Sequence, residues 1–117
     1  MRNMSIRSYE VYRNLDLSST GILIATGPKL LFGYYLSNKS NSPIYVKFYN
    51  KATAPTVGTD TPILTLPIPA YSAANQEFLG GIDEFPLGLG IGCTTGPTDD
   101  AVGGTTTNDL IVNVFYK

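Results

Sequence analysis

The residues that could do chemistry in this chain are few. Its 117 residues include no His and one Cys, Cys93. A Ser–His–Asp triad and a Cys–His nucleophile both need an imidazole, so neither can be assembled. A single thiol without His can form neither a zinc site nor an intrachain disulfide. Cys93 lies in an alternating apolar run, where we expect a small buried hydrophobe.

The carboxylates give no stronger signal. Glycoside hydrolysis needs two carboxylates that face each other, and no pattern brings Glu10, Glu77 and the Asp83-Glu84 pair together. The adjacent acids Asp99-Asp100 could bind a hard cation, but no further ligands follow at a fixed spacing. Gly88-Leu89-Gly90 does not open a helix, so it predicts no phosphate site. We therefore expect no enzyme, with no catalytic, cofactor-binding or metal-binding residues and no cofactor.

Tyrosine is the one polar aromatic residue used heavily, with eight copies and no Trp. Tyr suits protein interfaces, and it also suits stacking on carbohydrate. The N-terminal residues are mildly basic on a chain of net charge −1, which predicts an arm that docks on a partner and no nucleic-acid binding. No run reaches the ~20 apolar residues of a membrane span. The predicted partner contacts of the arm are Arg2, Arg7, Tyr9, Tyr12 and Arg13.

The elements that must position these residues read as strands. The 12 Gly and 8 Pro interrupt any helical period. Strand-like runs cover 20–26, 29–37, 44–50, 63–69, 77–80, 85–93 and 109–116, with a weaker run at 6–13. This spacing predicts an all-β antiparallel sandwich, jelly-roll-like, of seven or eight strands over 20–117, preceded by an extended arm over 1–19. We expect 29–37 to pair with 44–50, 63–69 to lie at an edge because of Pro67 and Pro69, and 109–116 to lie inside a sheet.

Two runs predict specific faces. In 44–50, Ile44, Val46 and Phe48 should point inward, and Tyr45, Lys47 and Tyr49 outward. In 85–93 the apolar residues alternate with Pro86, Gly88, Gly90 and Gly92, which leaves one face almost bare. A bare face lets a neighbour approach closely. That neighbour is either another part of this chain, such as a Tyr, or a second protomer, so Gly88, Gly90 and Gly92 are predicted as core or subunit packing positions.

The run YVKFYNKATAPTVGTDTP (Tyr45–Pro62), followed by Ile63–Pro69, resembles a family of small structural proteins of tailed bacteriophages, including cyanophages. The Gly-rich run Gly88–Thr95 and the closing strand Leu110–Lys117 are similar too. The resemblance covers Gly21–Lys117 and leaves the N-terminus outside. It implies a virion component: a capsid decoration or cement protein on the capsid surface, assembled in the bacterial cytoplasm. Its partners would be the major capsid protein and further copies of itself, as a dimer or trimer. The alternative is a tail, baseplate or head-fibre module that binds a host surface glycan.

Overall fold

The structure, a computed structural model, describes residues 9–105 and 109–117. They form eight antiparallel strands. These are β1 (Glu10–Asn14), β2 (Ile22–Thr26), β3 (Lys29–Asn38), β4 (Ile44–Asn50), β5 (Leu64–Ile68), β6 (Ser72–Phe85), β7 (Gly88–Thr94) and β8 (Leu110–Tyr116). The all-β prediction is confirmed.

The strands form two four-stranded sheets that pack as a sandwich. One sheet has the order β1-β8-β3-β6 and the other β2-β7-β4-β5. The pairing is nested, because β4 pairs with β5, β3 with β6, β2 with β7 and β1 with β8. β3 and β4 therefore lie in different sheets, and the predicted pairing of 29–37 with 44–50 is wrong. The edge position of β5 and the interior position of β8 are confirmed.

The core lies between the sheets and follows the alternation of each strand. Leu110, Val112 and Val114 of β8 belong to the same buried cluster as Val46 and Phe48 of β4, and none of these side chains reaches solvent. Full burial of such a side chain stabilises the fold by about 1.5–3 kcal/mol. The apolar residues of the core come from both sheets and from Leu17 before β2.

Strand β6 differs most from the sequence prediction. The sequence predicts a short strand over 77–80, whereas β6 is continuous for 14 residues. It pairs with β3 from Asn38↔Ser72 to Lys29↔Phe85. Gly80 and Gly81 adopt positive φ within it, and the register of the pair shifts nearby. These glycines therefore form a bulge inside a strand and do not end it.

The arm predicted over 1–19 is wrong for residues 10–19. β1 completes the free edge of β8, from Glu10↔Tyr116 to Asn14↔Val112. Leu17 is fully buried, and its amide donates to the carbonyl of Leu110 at 3.2 Å. The segment joins the fold because β8 offers an open edge and Leu17 fills the core. Arg2 and Arg7 lie outside the described residues.

Candidate functional site

The outer faces of the two sheets differ. The outer face of β2-β7-β4-β5 is covered by this chain's own loop between β4 and β5. A Cβ added to Gly90 would lie 2.9 Å from Cδ of Pro55, and one added to Gly92 would lie 2.5 Å from Cγ2 of Val57. One added to Gly88 would meet the carbonyl oxygen of Lys51. A Cβ on Gly92 would also lie 3.8 Å from Cε1 of Tyr49. The glycines are thus core-type packing positions, covered mainly by a loop of this chain.

A single ion pair braces this covering loop. Nζ of Lys51 lies 2.7 Å from Oδ2 of Asp60 across the base of the loop. The same oxygen accepts a hydrogen bond from the amide of Thr56 at 2.7 Å. The hydrogen bond from Lys51, with that from Thr56, lowers the pKa of Asp60. Side chains and backbone therefore hold the loop in one conformation over the glycines.

The loop between β7 and β8 covers the rest of this face. The prediction that Lys47 and Tyr49 point into solvent is wrong, because both are buried beneath the loops. Nζ of Lys47 donates to the carbonyl of Thr98 at 2.5 Å. Burial lowers the pKa of Lys47, and the charges of Asp99 and Asp100 partly offset this effect. The adjacent acids are thus a counter-charge for a buried cation.

Tyr49 is the buried neighbour of Lys47 on the same side of β4. Its hydroxyl makes no hydrogen bond within the described part of the chain. Burial raises the pKa of Tyr49 to about 12, with smaller contributions from Asp60 and Asp99. Residues 9–105 and 109–117 hold no group of three or more potential metal ligands. The covered face is thus occupied by loops of this chain, which bury Lys47 and Tyr49.

The outer face of β1-β8-β3-β6 is open and aromatic. The rings of Tyr9 and Phe32 pack with centroids 4.6 Å apart, and those of Tyr35 and Phe115 pack edge to face at 5.1 Å. Leu79, at the β6 bulge, is fully exposed. A groove of about 720 Å³ runs between these side chains. We call this groove, lined by Tyr9, Phe32, Tyr35, Glu77, Phe78, Leu79, Gly80 and Phe115, the aromatic groove.

The strand register explains the aromatic groove. Gly33 of β3 lies opposite Phe115 of β8 on one side and Glu77 of β6 on the other. Because Gly33 has no side chain, it leaves a gap between these two residues. The register shifts around Gly33 turn Phe32 outward while Leu31 and Tyr34 enter the core. Strict alternation over 29–37 would put Phe32 on the same face as Tyr34 and Leu36, and the register shifts break that alternation.

The lining of the aromatic groove includes the carboxylate of Glu77. The Tyr35 hydroxyl donates to Oε2 of Glu77 at 2.8 Å. This hydrogen bond and the nearby negative charge raise the pKa of Tyr35. The arrangement is an apolar trough with one anionic wall. Such a surface can hold an apolar or aromatic side chain beside a cationic group.

The predicted partner contacts separate into two groups. Tyr9 lies in the groove, and Arg13 is exposed opposite Asn113, on the side of the sheet that carries Phe115. Tyr12 faces the other way, where its ring packs against the core and its hydroxyl accepts from Nδ2 of Asn14 at 2.9 Å. Four groove residues were not predicted as contacts: Phe32, Tyr35, Leu79 and Phe115. Tyr35 and Phe115 could have been predicted as surface contacts, because each is an aromatic residue on the non-core side of an alternating run.

Cys93 is buried in the core, as predicted. Its Sγ lies 3.5 Å from the carbonyl oxygen of Leu17. Burial raises the pKa of the thiol to about 12, so it stays protonated at neutral pH. A protonated, enclosed thiol is a poor nucleophile.

Comparison with protein-family models, with curated proteins and with solved structures gave no match. Among the described residues, no helix is long and apolar enough to cross a membrane.

Proposed function

We propose that this chain is a non-enzymatic structural protein of a phage virion, a decoration or cement protein that docks on the capsid shell through the open face of β1-β8-β3-β6. The contrast between the two outer faces carries this proposal. One face is covered by the chain's own loops, whereas the other exposes Tyr9, Tyr35 and Leu79 around a groove. Exposed apolar patches rimmed by polar groups mark interaction sites.

The proposed partner is the major capsid protein, as the phage-family resemblance of Tyr45–Pro69 implies. The groove would receive an apolar or aromatic side chain of that protein, with a Lys or Arg beside Glu77. Tyr-rich surfaces suit such contacts because each Tyr adds a large apolar area and a polar tip. Arg13 would add a charged contact at the β1 edge of the face.

Two finer proposals accompany this one. The nested pairing of the strands supports a jelly-roll winding, in which the chain doubles back on itself and wraps into two sheets. We also infer that the protein docks as a dimer or trimer, because several weak contacts on one lattice add through effective concentration. Analytical ultracentrifugation tests the oligomer, and a monomer at every concentration would contradict it.

The docking surface is tested by a pair of matched substitutions. Leu79→Asp places a charge at the groove, and Val102→Asp places the same charge at an exposed aliphatic position in the loop between β7 and β8. Both side chains are mostly exposed, so neither change should alter stability by more than about 0.5 kcal/mol. In co-sedimentation with undecorated shells, Leu79→Asp should lose binding and Val102→Asp should keep it. Equal binding by the two variants would contradict the assignment.

The contribution of residues 1–8 is tested by deleting these residues alone, because the arm predicted over 1–19 includes β1. A cut after residue 15 would remove β1 and the Tyr12 contact with the core, so loss of binding would report misfolding. Removal of residues 1–8 leaves β1 intact and takes away Arg2 and Arg7. We expect weaker, more salt-sensitive docking if these arginines contact the shell. Unchanged docking would restrict the contact to the open face.

A further inference from the structure

A second concave site lies at one end of the sandwich, away from the aromatic groove. It is a hollow of about 410 Å³ formed by the turn between β3 and β4, the turn between β5 and β6, and the two ends of the β7–β8 loop. Hydroxyl, amide and carboxylate groups line it, including those of Ser40, Asn41, Ser42, Thr95 and Asp109. Polar groups converging in a concave site can fix the orientation of a small ligand.

The walls of this hollow are held by one buried amide. Asn38 is almost fully buried at the end of β3. Its Nδ2 donates to the carbonyls of Ser42 at 2.8 Å and of Ile68 and Pro69 at 3.1 Å. Its Oδ1 accepts from the amide of Ser40 at 2.9 Å and from its hydroxyl at 2.8 Å. The two turns are thus fixed to each other before any ligand arrives.

Tyr71 is the unusual residue of the hollow. It is the one described non-glycine residue with positive φ, at 54°. Its amide donates to the carbonyl of Ser40 at 3.1 Å, yet its side chain remains 75% exposed. Gly or Asn would adopt this backbone conformation more easily, and a bulky residue there is an outlier. An aromatic ring in a strained turn with little packing to offset it points to a role outside the fold.

We propose that this hollow binds a neutral hexose unit of a glycan, with the apolar face of the sugar ring stacked on Tyr71. The hydroxyl and amide groups of the lining would bind the sugar hydroxyls. The described lining residues include one Lys and one Asp, Lys39 and Asp109, so together they carry no formal net charge and favour a neutral sugar. This activity is separate from shell docking, since the hollow and the aromatic groove share no residue.

The test uses immobilised neutral oligosaccharides that end in glucose, galactose, mannose or N-acetylglucosamine. Wild-type protein should bind at least one terminal sugar. Tyr71→Phe should keep that binding because it keeps the ring, and Tyr71→Ala should weaken it at least about tenfold. Tyr71→Gly should lose binding while its melting temperature stays equal or rises, since Gly accepts positive φ. This variant separates loss of the ring from loss of the fold.

Tyr35→Ala is the matched control, because it removes another exposed Tyr ring from the aromatic groove. It should bind sugar as the wild type does. The proposal is overturned if the wild type binds no member of the panel, if Tyr71→Ala binds normally, or if Tyr35→Ala loses binding equally. Shell docking by Tyr71→Ala is measured in parallel and should be unchanged, so failure of the sugar site leaves the docking proposal standing.

Discussion

The contact between the glycine face of β7 and the loop that covers it makes a sharp prediction at Gly92. A methyl group at this position would lie 2.5 Å from Cγ2 of Val57. Carbon atoms prefer about 3.5–4.0 Å, so Gly92→Ala must move the loop or the strand. Overpacking of this kind costs about 1–3 kcal/mol. The better strand propensity of Ala returns about 0.5–1 kcal/mol. From the middle of each range we expect a net destabilisation of about 1 kcal/mol.

The sign should reverse when Val57 is shortened. Val57→Ala removes the methyl group that the new side chain meets, so in that background Gly92→Ala should be neutral or stabilise by up to about 0.5 kcal/mol. Urea unfolding measures all four proteins of the cycle, with a constant m-value as the check on two-state behaviour. Gly90→Ala is the control, because its methyl group meets Pro55. It should stay destabilising in both backgrounds. A Gly92→Ala variant as stable as the wild type would refute the assigned loop contact.

Three further predictions concern the core and its buried ionisable groups. Burial raises the pKa of Cys93 from 9.0 to about 12. The thiol of the unfolded chain therefore loses its proton at a lower pH than that of the folded chain. The free energy of unfolding should fall as pH rises through this range, by up to about 4 kcal/mol. Urea unfolding at a series of pH values should show a shallower fall in stability for Cys93→Ala than for the wild type, and an equal slope would contradict this prediction. Tyr49 should add a similar fall in both proteins. Lys47 has the opposite effect, because its pKa is lowered in the folded protein. Its contribution to the free energy of unfolding rises with pH up to the usual Lys pKa of 10.5. Lys47→Met should abolish that rise and keep the fold at neutral pH, and unfolding there would contradict the assignment. Leu36→Ala should cost about 2–5 kcal/mol in chemical denaturation, whereas Leu79→Ala should stay within about 0.5 kcal/mol; similar costs would contradict their opposite burial.

Sequence alternation predicted the local features of this fold well. Pro67 cannot donate to a sheet ladder, and β5 is indeed an edge strand. The apolar run of β8 is an interior strand for the converse reason. Alternation shows which side chains share a face, but it does not show what covers that face. Lys47 and Tyr49 were therefore expected in solvent, although loops from distant parts of the chain bury them.

The candidate site was only partly predictable, because bulges change the phase of alternation. The register shift at Gly33 places Phe32 in the aromatic groove, and β6 continues through Gly80-Gly81, where the sequence predicts that the strand ends. The place of β1 depended on the free edge of β8, which lies about a hundred residues away in sequence. Tyr9 and Arg13 were predicted as contacts on the basis of an arm, and both lie instead on or beside the groove of a folded sheet.

An electron cryomicroscopy map of shells decorated with this protein would show which face of the sandwich meets the lattice. We expect β1-β8-β3-β6 to rest on the shell with Phe115 and Leu79 in the contact, and the loops over Gly90 and Gly92 to point to solvent. Density with these loops against the lattice and the aromatic groove open would contradict it, as would shells that carry no density for this chain.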